Sequence, residues 1–363
     1  MILFRRWERY LFKEIFKVFA LFLIAIYFLY VLIDYSSHMR VFQRNTIGFT
    51  EVTLYYFAHF IRRLQFLVPF ALLLSTLTVL CQMSLRRELL ALLVGGISKK
   101  QIFRPFLVIA LLSSGSIYLN FEYLEPYTLP YIDQFEVKYF HSAERKGNQI
   151  DKLSTLYLED GSKMIYQKYD MQKQALFDVF WVLSPDAVIH MKYFKPDQIP
   201  PLGSYVDQFT RNQEGRFIRM TSENEKIFPQ IKFKHKDLKK VLKPLENYAL
   251  SELWQTLQTN KEGKIARMNP EEWTMWYFKI LIPLISLWVV ITTVPECFIF
   301  DRQVSIFKIY CWALFLLVFF FTAFNSAVIL GQSGVISPLI ALGGTMFLFF
   351  APSMWRFYSF YKV

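Results

Sequence analysis

Long apolar stretches stand in two groups of three, one group towards each end of the chain, with a long and more polar region between them. They cover residues 18–33, 66–82, 102–121, 275–294, 309–330 and 335–355. Each approaches the ~20 apolar residues that a helix needs to cross a ~30 Å hydrocarbon core. Backbone polar groups in lipid must be satisfied within their own segment, so the pattern predicts six transmembrane helices.

The region between the two groups has the pattern of a β domain. Asp160-Gly161 separates the first two of its short runs and is typical of a tight hairpin turn. The runs are rich in aromatic and β-branched residues, and they cover residues 155–159, 163–167, 177–183, 188–194, 205–210, 217–221 and 227–233. Their spacing predicts a sandwich, a barrel or an open jelly roll.

Helical periodicity returns after the β region, where Leu250, Leu253, Trp254 and Leu257 mark one face of a short helix. The chain is therefore predicted to be an α-helical membrane protein with an inserted all-β domain. The predicted divisions are three spans in residues 1–125 with a connecting loop at 84–101, the β domain at 126–247, a linker helix at 248–272, and three more spans at 273–363.

Charge predicts the orientation, because Lys and Arg near short loops stay on the cytoplasmic side of the membrane. Five basic residues precede the first predicted span and five lie between the second and third, namely Arg5, Arg6, Arg9, Lys13, Lys17, Arg86, Arg87, Lys99, Lys100 and Arg104. Six spans then place both termini in the cytoplasm and the β domain on the opposite side. Most of the net charge of +12 belongs to the membrane portion, so it indicates topology and not nucleic-acid binding.

Sequence motifs of catalysis are absent. The chain has no Walker A sequence, no His-Glu-x-x-His, no Gly-x-Ser-x-Gly and no Cys-x-x-Cys, and its five histidines are scattered. The predicted span interiors contain small polar residues and not charges, which argues against an ion-coupled carrier. We expect no catalytic site, metal or cofactor, and any transport by this chain would take its energy from a partner.

Two further features bear on the compartment. Residues 33–38 lack the small-x-small pattern of a signal-peptide cleavage site, so the first apolar stretch is predicted to remain as a span. The three cysteines, Cys81, Cys297 and Cys311, lie in or beside predicted spans, so the β domain is expected to have no disulfide.

The loop between the second and third predicted spans has the pattern of a short amphipathic helix. Polar residues at 86–88 precede an apolar block at 89–94, and Gly95-Gly96 can end a helix by accepting positive φ. One interpretation is an interfacial helix that only closes the loop. The other is a coupling helix that is pushed by an ATPase.

The chain resembles the LptF/LptG permeases of the lipopolysaccharide exporter along nearly its whole length. The most specific segment is Arg87-Glu88-Leu89-x-Ala91-Leu92-x-x-Gly95-Gly96-Ile97-Ser98. Further agreements are Arg9-Tyr10-Leu11-x-Lys13-Glu14, Glu122-Tyr123-Leu124-Glu125-Pro126, Lys279-Ile280-x-x-Pro283-Leu284, Gly334-x-x-Ser337-Pro338 and Ala351-Pro352. Met275-Trp276 slightly favours the LptG type over the LptF type.

This resemblance implies an inner-membrane half-transporter whose β domain is a periplasmic β-jellyroll. It implies pairing with a second LptF/LptG-type permease and hydrolysis of ATP by a cytoplasmic LptB-type ATPase dimer. Lipopolysaccharide would enter sideways between helices of the two permeases, and would pass to the jellyroll proteins LptC and LptA. The β domain would join its neighbours by strand addition.

Site residues follow from the resemblance and from the chemistry of the cargo. The ATPase-coupling residues are predicted to be Arg87, Glu88, Leu89, Leu92 and Gly96. The lysines that family members often carry at the outer end of the first span are missing, so Arg40 and Arg44 are the predicted contacts of lipid headgroup phosphates. Phe319, Phe320 and Phe321 of the fifth span are predicted to line the lipid cavity or gate. The lysine-rich run at 232–243 is interpreted as a solvated face.

Two alternatives stay open from the sequence. A permease of a lipoprotein-release or efflux-type ABC system also has a large outer domain, but it usually has four spans with that domain between the first two. A membrane scaffold that does not transport would need no ATPase. The number of spans distinguishes the first alternative, and dependence on an ATPase distinguishes the second.

Overall fold

The computed structural model describes residues 5–44, 47–140, 154–158, 162–170, 175–184, 186–196, 200–212, 216–229, 231, 245–262, 270–298 and 305–362. The chain divides into two compact units. One comprises Met1–Ala143 together with Glu246–Val363, and the other is Glu144–Leu245.

The first unit contains six helices that are long and apolar enough to cross a membrane, counted over the described residues. This confirms the predicted number of spans. The spans are Arg6–Arg44, Phe49–Leu85, Lys99–Glu136, Pro270–Cys297, Ile306–Gln332 and Leu339–Phe360, and are numbered 1 to 6 in that order.

Several spans extend well beyond their apolar stretches, because helices continue past the hydrocarbon core with polar ends. Span 1 is the single helix α1 (Arg6–Arg44) and span 2 is α2 (Phe49–Leu85). The short helix α3 (Glu88–Val94) follows in the predicted loop.

Span 3 consists of α4 (Lys99–Leu119), a π-helical turn (Asn120–Leu124) and α5 (Glu125–Tyr139). Residues 126–139, which the sequence placed at the start of the β domain, are therefore helical. Pro126 has no N–H to donate to the preceding turn, and a π-turn directly before it relieves the local mismatch in backbone hydrogen bonding.

Prolines also shape the second group of spans. Span 4 consists of α7 (Pro270–Leu281), a 3₁₀ turn at Ile282–Leu284 that contains Pro283, and α8 (Ile285–Cys297). Before it, α6 (Leu250–Glu262) forms where the linker helix was predicted. Spans 5 and 6 are α9 (Ile306–Gln332) and the pair formed by a π-turn (Leu339–Gly343) and α10 (Gly344–Lys362).

The core of this unit lies around spans 2 and 4. Leu72, Leu77, Ile285 and Phe320 are fully buried there, and the indole of Trp288 is 2 % exposed. Trp288 Nε1 donates to Ser353 Oγ at 3.0 Å, which fastens span 4 to span 6. Burying these apolar groups against one another is what orders the helices within the unit.

The second unit is an antiparallel sheet in which sequential strands pair in the order β1-β2-β4-β5-β6-β7, while β3 also pairs with β4. The strands are β1 (Ser154–Tyr157), β2 (Lys163–Tyr166), β3 (Lys168–Asp170), β4 (Ala175–Ser184), β5 (Ala187–Lys195), β6 (Leu202–Arg211) and β7 (Phe217–Ile227). The predicted inserted β domain is confirmed as an up-and-down sheet.

One cluster of the sheet's side chains forms its core. Met164, Val179, Met191 and Phe194 are fully buried in it. Trp181 Nε1, also buried, donates to Ser162 Oγ at 2.8 Å, so the one polar atom of this indole is satisfied. Along β5 the buried residues are Ile189, Met191 and Phe194, so burial follows the period of two of a strand only over part of its length.

The strand predicted at residues 227–233 does not form over its first part, since β7 ends at Ile227 and Phe228 lies outside any strand. Pro229 cannot donate to a ladder, and Phe228 folds back into the core of the sheet instead. Its ring lies so close to Gly203 that a Cβ there would be 2.8 Å from Phe228 Cε2. The predicted turn at Asp160-Gly161 and the lysine-rich run at 232–243 lie outside the described residues.

Candidate functional site

A cavity of about 700 Å³ lies within the helical unit, and its walls come from five spans. Spans 1 and 2 contribute polar and charged side chains, span 3 contributes carboxylates, and spans 4 and 5 contribute both polar and apolar groups. The residues that matter below are Tyr30, Asp34, His38, Tyr55, His59, Arg62, Arg63, Phe66, Glu125, Glu136, Glu246 and Lys279.

Two adjacent arginines of span 2 line the cavity, which also contains Lys279 and the carboxylates of Asp34, Glu125, Glu136 and Glu246. The guanidinium of Arg63 stacks over the ring of Tyr30, with its central carbon 3.9 Å from the ring centroid. Among the described residues, no carboxylate lies within ion-pair distance of Arg62 or Arg63. Both guanidinium groups therefore keep donors for an anionic ligand.

The acidic side chain from span 1 is, in contrast, surrounded by donors. Asp34 accepts hydrogen bonds from the hydroxyls of Tyr56 at 3.1 Å and Tyr30 at 3.4 Å. His38 Nδ1 lies 3.5 Å from Asp34 Oδ2. Asp34 thus has its own hydrogen-bond partners on spans 1 and 2 and makes no direct ion pair with either arginine.

A second polar group lies between spans 2 and 3. The hydroxyl of Tyr55 donates to Glu136 Oε1 at 3.4 Å, and His59 Nε2 lies 3.7 Å from the same oxygen. His59 is only 5 % exposed, and neither of its ring nitrogens makes a hydrogen bond within the described residues. A hydrogen bond from a water molecule or a polar ligand to either nitrogen would offset the cost of burying it.

Lys279 makes buried polar contacts at the wall of the cavity. It is 2 % exposed, and its Nζ donates to the carbonyl oxygens of Glu246 at 2.9 Å and Tyr248 at 2.8 Å. Glu125 Oε2 lies 3.9 Å from the same nitrogen. The chain returns to the helical unit at residue 246, so Lys279 holds the first residues of that return.

The tyrosine at this return is itself buried. Tyr248 is 7 % exposed, and burial, with the nearby carboxylates of Glu252 and Glu272, raises its pKa to about 12. The phenol is therefore neutral at physiological pH. Its backbone carbonyl, and not a charge on its side chain, is what Lys279 recognises.

The predicted coupling loop has the geometry that its sequence indicated. Gly96 has a φ of +82°, and the N–H groups of Gly96 and Ile97 donate to the carbonyls of Leu93 and Leu92. This is the backbone pattern of a glycine-terminated helix. Ser98 then caps α4 through a reciprocal pair of hydrogen bonds with Gln101.

The side chains of α3 divide between the helical core and the outside. Leu89 is fully buried, whereas Leu90 is 46 % and Val94 81 % exposed on the opposite side. Glu88 lies 3.9 Å from Arg86, and this pair is largely solvent-accessible. Arg87, with a φ of +58°, holds the strained left-handed turn that separates α2 from α3.

The family model for the lipopolysaccharide export system permease LptF/LptG matches residues 9–359 of the chain. The chain belongs to this family. Comparison with individual curated proteins gives no significant match. As an LptF/LptG permease the chain is a multi-pass protein of the inner membrane, and the family's function is that of a transporter subunit in lipopolysaccharide export.

Membership of the LptF/LptG family also removes one alternative. Lipoprotein-release and efflux permeases usually have four spans, while the described residues of this LptF/LptG permease contain six, three before the inserted sheet in the chain and three after it. The match covers both members of the family together, so it does not assign the chain to the LptF or the LptG type.

The predicted headgroup residues of this permease lie outside the cavity. Arg40 and Arg44 are exposed on the last turns of α1 and do not line it, whereas Arg62, Arg63 and Lys279 do. The sequence contained a signal for the pair, because Arg62-Arg63 precedes an apolar stretch without a helix break. The apolar stretch in the sequence begins only at Phe66, whereas the helix itself begins at Phe49 and so includes both arginines.

The three predicted gate residues differ in environment. Phe319 is 52 % exposed, while Phe320 is fully buried against Trp288, at 4.8 Å between ring centroids. Phe321 is 7 % exposed and packs on Phe66, which lines the cavity. Of the three, Phe319 presents a free ring surface, and Phe321 supports the wall of the cavity from behind.

Proposed function

We propose that this permease is one half of a transporter that extracts lipopolysaccharide from the inner membrane and passes it to a periplasmic bridge of LptC- and LptA-type jellyrolls. Its other half is a second LptF/LptG-type permease, and an LptB-type ATPase dimer supplies the energy. Both termini lie in the cytoplasm and the sheet lies in the periplasm. Family membership and the distribution of basic residues support this assignment.

The observation that carries the proposal is the cavity with its two guanidinium groups, neither of which makes a direct ion pair with a carboxylate of the described residues. Lipopolysaccharide combines several acyl chains with phosphate groups, so its site needs apolar walls and cations together. Arg62 and Arg63 provide forked donors that suit phosphate oxygens, while Phe66 begins the apolar surface directly below them along the same helix.

Energy would reach this cavity through α3. Its exposed leucine and valine, Leu90 and Val94, leave an apolar surface on a helix whose other side is anchored in the core by Leu89. A helix that packs on the core with one side and exposes an apolar surface on the other is suited to transmit movement of a bound ATPase to span 2. Arg87, Glu88, Leu92 and Gly96 would maintain its position and its ends.

Photocrosslinking in the complete transporter tests the cargo site. A crosslinking amino acid at Phe66 should capture lipopolysaccharide, and the capture should fall about tenfold in the Arg62→Ala/Arg63→Ala variant, because each charge-assisted hydrogen bond lost weakens binding. The matched control is Arg40→Ala/Arg44→Ala, which removes the same charge from α1 and should leave capture at Phe66 within about twofold.

If capture falls in Arg40→Ala/Arg44→Ala and persists in Arg62→Ala/Arg63→Ala, the headgroup site lies on the last turns of α1. If neither pair of arginines is required for capture at Phe66, the cavity does not contain a phosphate site. A fully assembled transporter that delivers no lipopolysaccharide to an acceptor when ATP is present would favour the scaffold alternative instead.

The proposed orientation has its own test. A cysteine at Gly161 should react with a membrane-impermeant maleimide added on the periplasmic side of intact cells. A cysteine at Gly95, which is exposed at the end of α3, should react only after the inner membrane is opened. The reverse pattern would invert the whole assignment.

A further inference from the structure

Lys279 is an ammonium group within span 4 with almost no contact with solvent, so the expectation that the span interiors contain no charges is wrong at this position. A lysine in such a place needs a full set of oxygen acceptors, because an uncompensated charge is expensive inside a helical bundle. Its partners include two backbone carbonyls, of Glu246 and Tyr248, and the carboxylate of Glu125.

The distances rank these partners. The carbonyl oxygens are at 2.9 and 2.8 Å, which is hydrogen-bond distance, while the carboxylate oxygen is at 3.9 Å. Glu125 Oε2 makes no hydrogen bond within the described residues. Lys279 is thus primarily a clamp on backbone, and Glu125 balances its charge from a longer distance.

The clamped backbone is the segment at residues 246–249, which we term the return turn because the chain re-enters the helical unit there. Further hydrogen bonds hold it and its successor to span 3. Asn247 Nδ2 donates to Asp133 Oδ2 at 3.3 Å, and Ser251 N donates to Glu122 Oε2 at 3.1 Å. The return turn is therefore fastened to spans 3 and 4 at several points.

The same part of span 3 also bonds to span 2, one residue before the arginines. Asn120, the first residue of the π-turn, is buried, and its Nδ2 donates to the carbonyl of Ile61 at 3.1 Å. Ile61 directly precedes Arg62 in span 2. Glu125, Glu246 and Lys279 themselves line the cavity. Every charged member of the clamp is thus in reach of a ligand in the cavity.

We propose that Lys279 is a positioning residue that couples occupancy of the cavity by an anionic headgroup to the hold on the return turn, an inference that rests on the proposed function. A phosphate group beside Arg62 and Arg63 attracts the ammonium and competes with its carbonyl acceptors. The return turn is then held less tightly when the cavity is filled than when it is empty.

Hydrogen exchange in the complete transporter tests this coupling. The amides of residues 246–253 should exchange roughly tenfold faster after purified lipopolysaccharide is added, because the hydrogen bonds to a charged donor that oppose opening of the turn are weakened. The Glu125→Gln/Lys279→Met variant, which removes both buried charges together, should show the faster exchange with and without lipid.

Glu125→Gln alone is the matched control. It keeps both bonds from Lys279 to the carbonyls but removes the nearby counter-charge, so its exchange should lie closer to that of the unaltered protein than to that of the double variant. The charge-exchanged variant Glu125→Lys/Lys279→Glu should not restore protection, since a carboxylate at position 279 cannot donate to a carbonyl. If the two side chains acted only as an ion pair, Glu125→Gln would lose protection and the charge-exchanged variant would restore it.

Capture of lipopolysaccharide at Phe66 is measured in the same samples, so that the two proposals fail in different ways. Absence of capture in the unaltered protein contradicts the proposed function. Capture together with an exchange rate that lipid does not change, or with normal protection in Glu125→Gln/Lys279→Met, overturns the role of Lys279. Lysine-to-arginine replacement at position 279 should retain most of the protection, because arginine also donates to carbonyls.

Discussion

Spans 1 and 2 are nearly equal in hydropathy and opposite in environment. Their most apolar windows have mean hydropathies of 2.5 and 2.1, yet 6 % of the window is buried within the chain in span 1 and 67 % in span 2. In span 1 the buried residues are Glu8, Leu11, Ile15 and Phe42, all of them near its ends. Hydropathy predicts that a helix enters lipid, but it does not predict how much of that helix packs on its own chain.

The two spans differ in their small and hydroxyl-bearing side chains. Span 2 contains Ala71, Ser75 and Thr76, all buried, which let neighbouring backbones approach. The middle of span 1 instead presents large side chains outwards, including Leu21, Ile24 and Phe28. A span of this kind is suited to face lipid or another subunit, in agreement with the proposed pairing of two permeases.

The largest expected difference is in the free energy of unfolding. Leu72→Ala in span 2 should lower it by about 2–5 kcal/mol, because Leu72 is fully buried and its removal leaves a cavity. Ile24→Ala in span 1, where the side chain is 67 % exposed, should change it by less than about 0.5 kcal/mol. Reversible unfolding of the isolated permease in mixed micelles measures both.

Equal losses for these two variants would mean that span 1 packs on its own chain in micelles. Repeating the measurement on the assembled pair of permeases sharpens the comparison. If a second subunit covers the middle of span 1, Ile24→Ala should then destabilise the complex although it leaves the isolated chain unaffected.

The same contrast occurs within α3, on a smaller scale. Leu89→Ala should lower the stability of the permease by about 2 kcal/mol, since its side chain is buried in the core around span 2. Leu90→Ala, one residue further on, should leave stability unchanged and weaken association with the ATPase. The free energy of unfolding and the amount of ATPase that co-purifies with the permease are the two measurements. If neither variant loses the ATPase, a coupling role is contradicted.

A polar contact of span 2 should have the next largest effect. Asn120→Ala removes the hydrogen bond to the carbonyl of Ile61 and should cost about 1–2 kcal/mol, because the acceptor stays buried. Ser37→Ala in span 1 is its control, since that hydroxyl only bonds to the carbonyl of Ile33 in its own helix and is exposed. A cost below about 0.5 kcal/mol for Asn120→Ala would show that the π-turn does not depend on this bond.

Much of the fold was predictable from the sequence because length and polarity determine it. Six apolar stretches, the short runs of aromatic and β-branched residues in the sheet and Gly96 at the end of α3 each have a local physical cause. The cavity had no such signal, since it depends on which faces of five spans meet. Arg62 and Lys279 lie 217 positions apart (279 − 62), and nothing local in either segment shows that both line one cavity.

Span ends and breaks were harder to predict for a different reason. The continuation of span 3 through Pro126 depends on a π-turn, which has no sequence pattern of its own. The identity of the gate residues likewise depends on helix rotation. Three consecutive phenylalanines look alike in the sequence, and only their rotation around α9 leaves Phe319 exposed and Phe320 buried.

The smallest expected effects come from the cysteines. Cys81 of span 2 and Cys297 of span 4 are both buried, with their sulfurs 3.9 Å apart, while Cys311 of span 5 is exposed. Cys81→Ala removes one buried heavy atom and should cost about 1 kcal/mol, whereas Cys311→Ala should cost less than about 0.5 kcal/mol.

A membrane-permeant maleimide gives an independent measurement on the folded permease. Cys311 should react alone, and the other two thiols should react only after unfolding in detergent. Labelling of Cys81 at the rate of Cys311 would show that spans 2 and 4 separate readily, and the contrast between buried and bare spans would then not hold in solution.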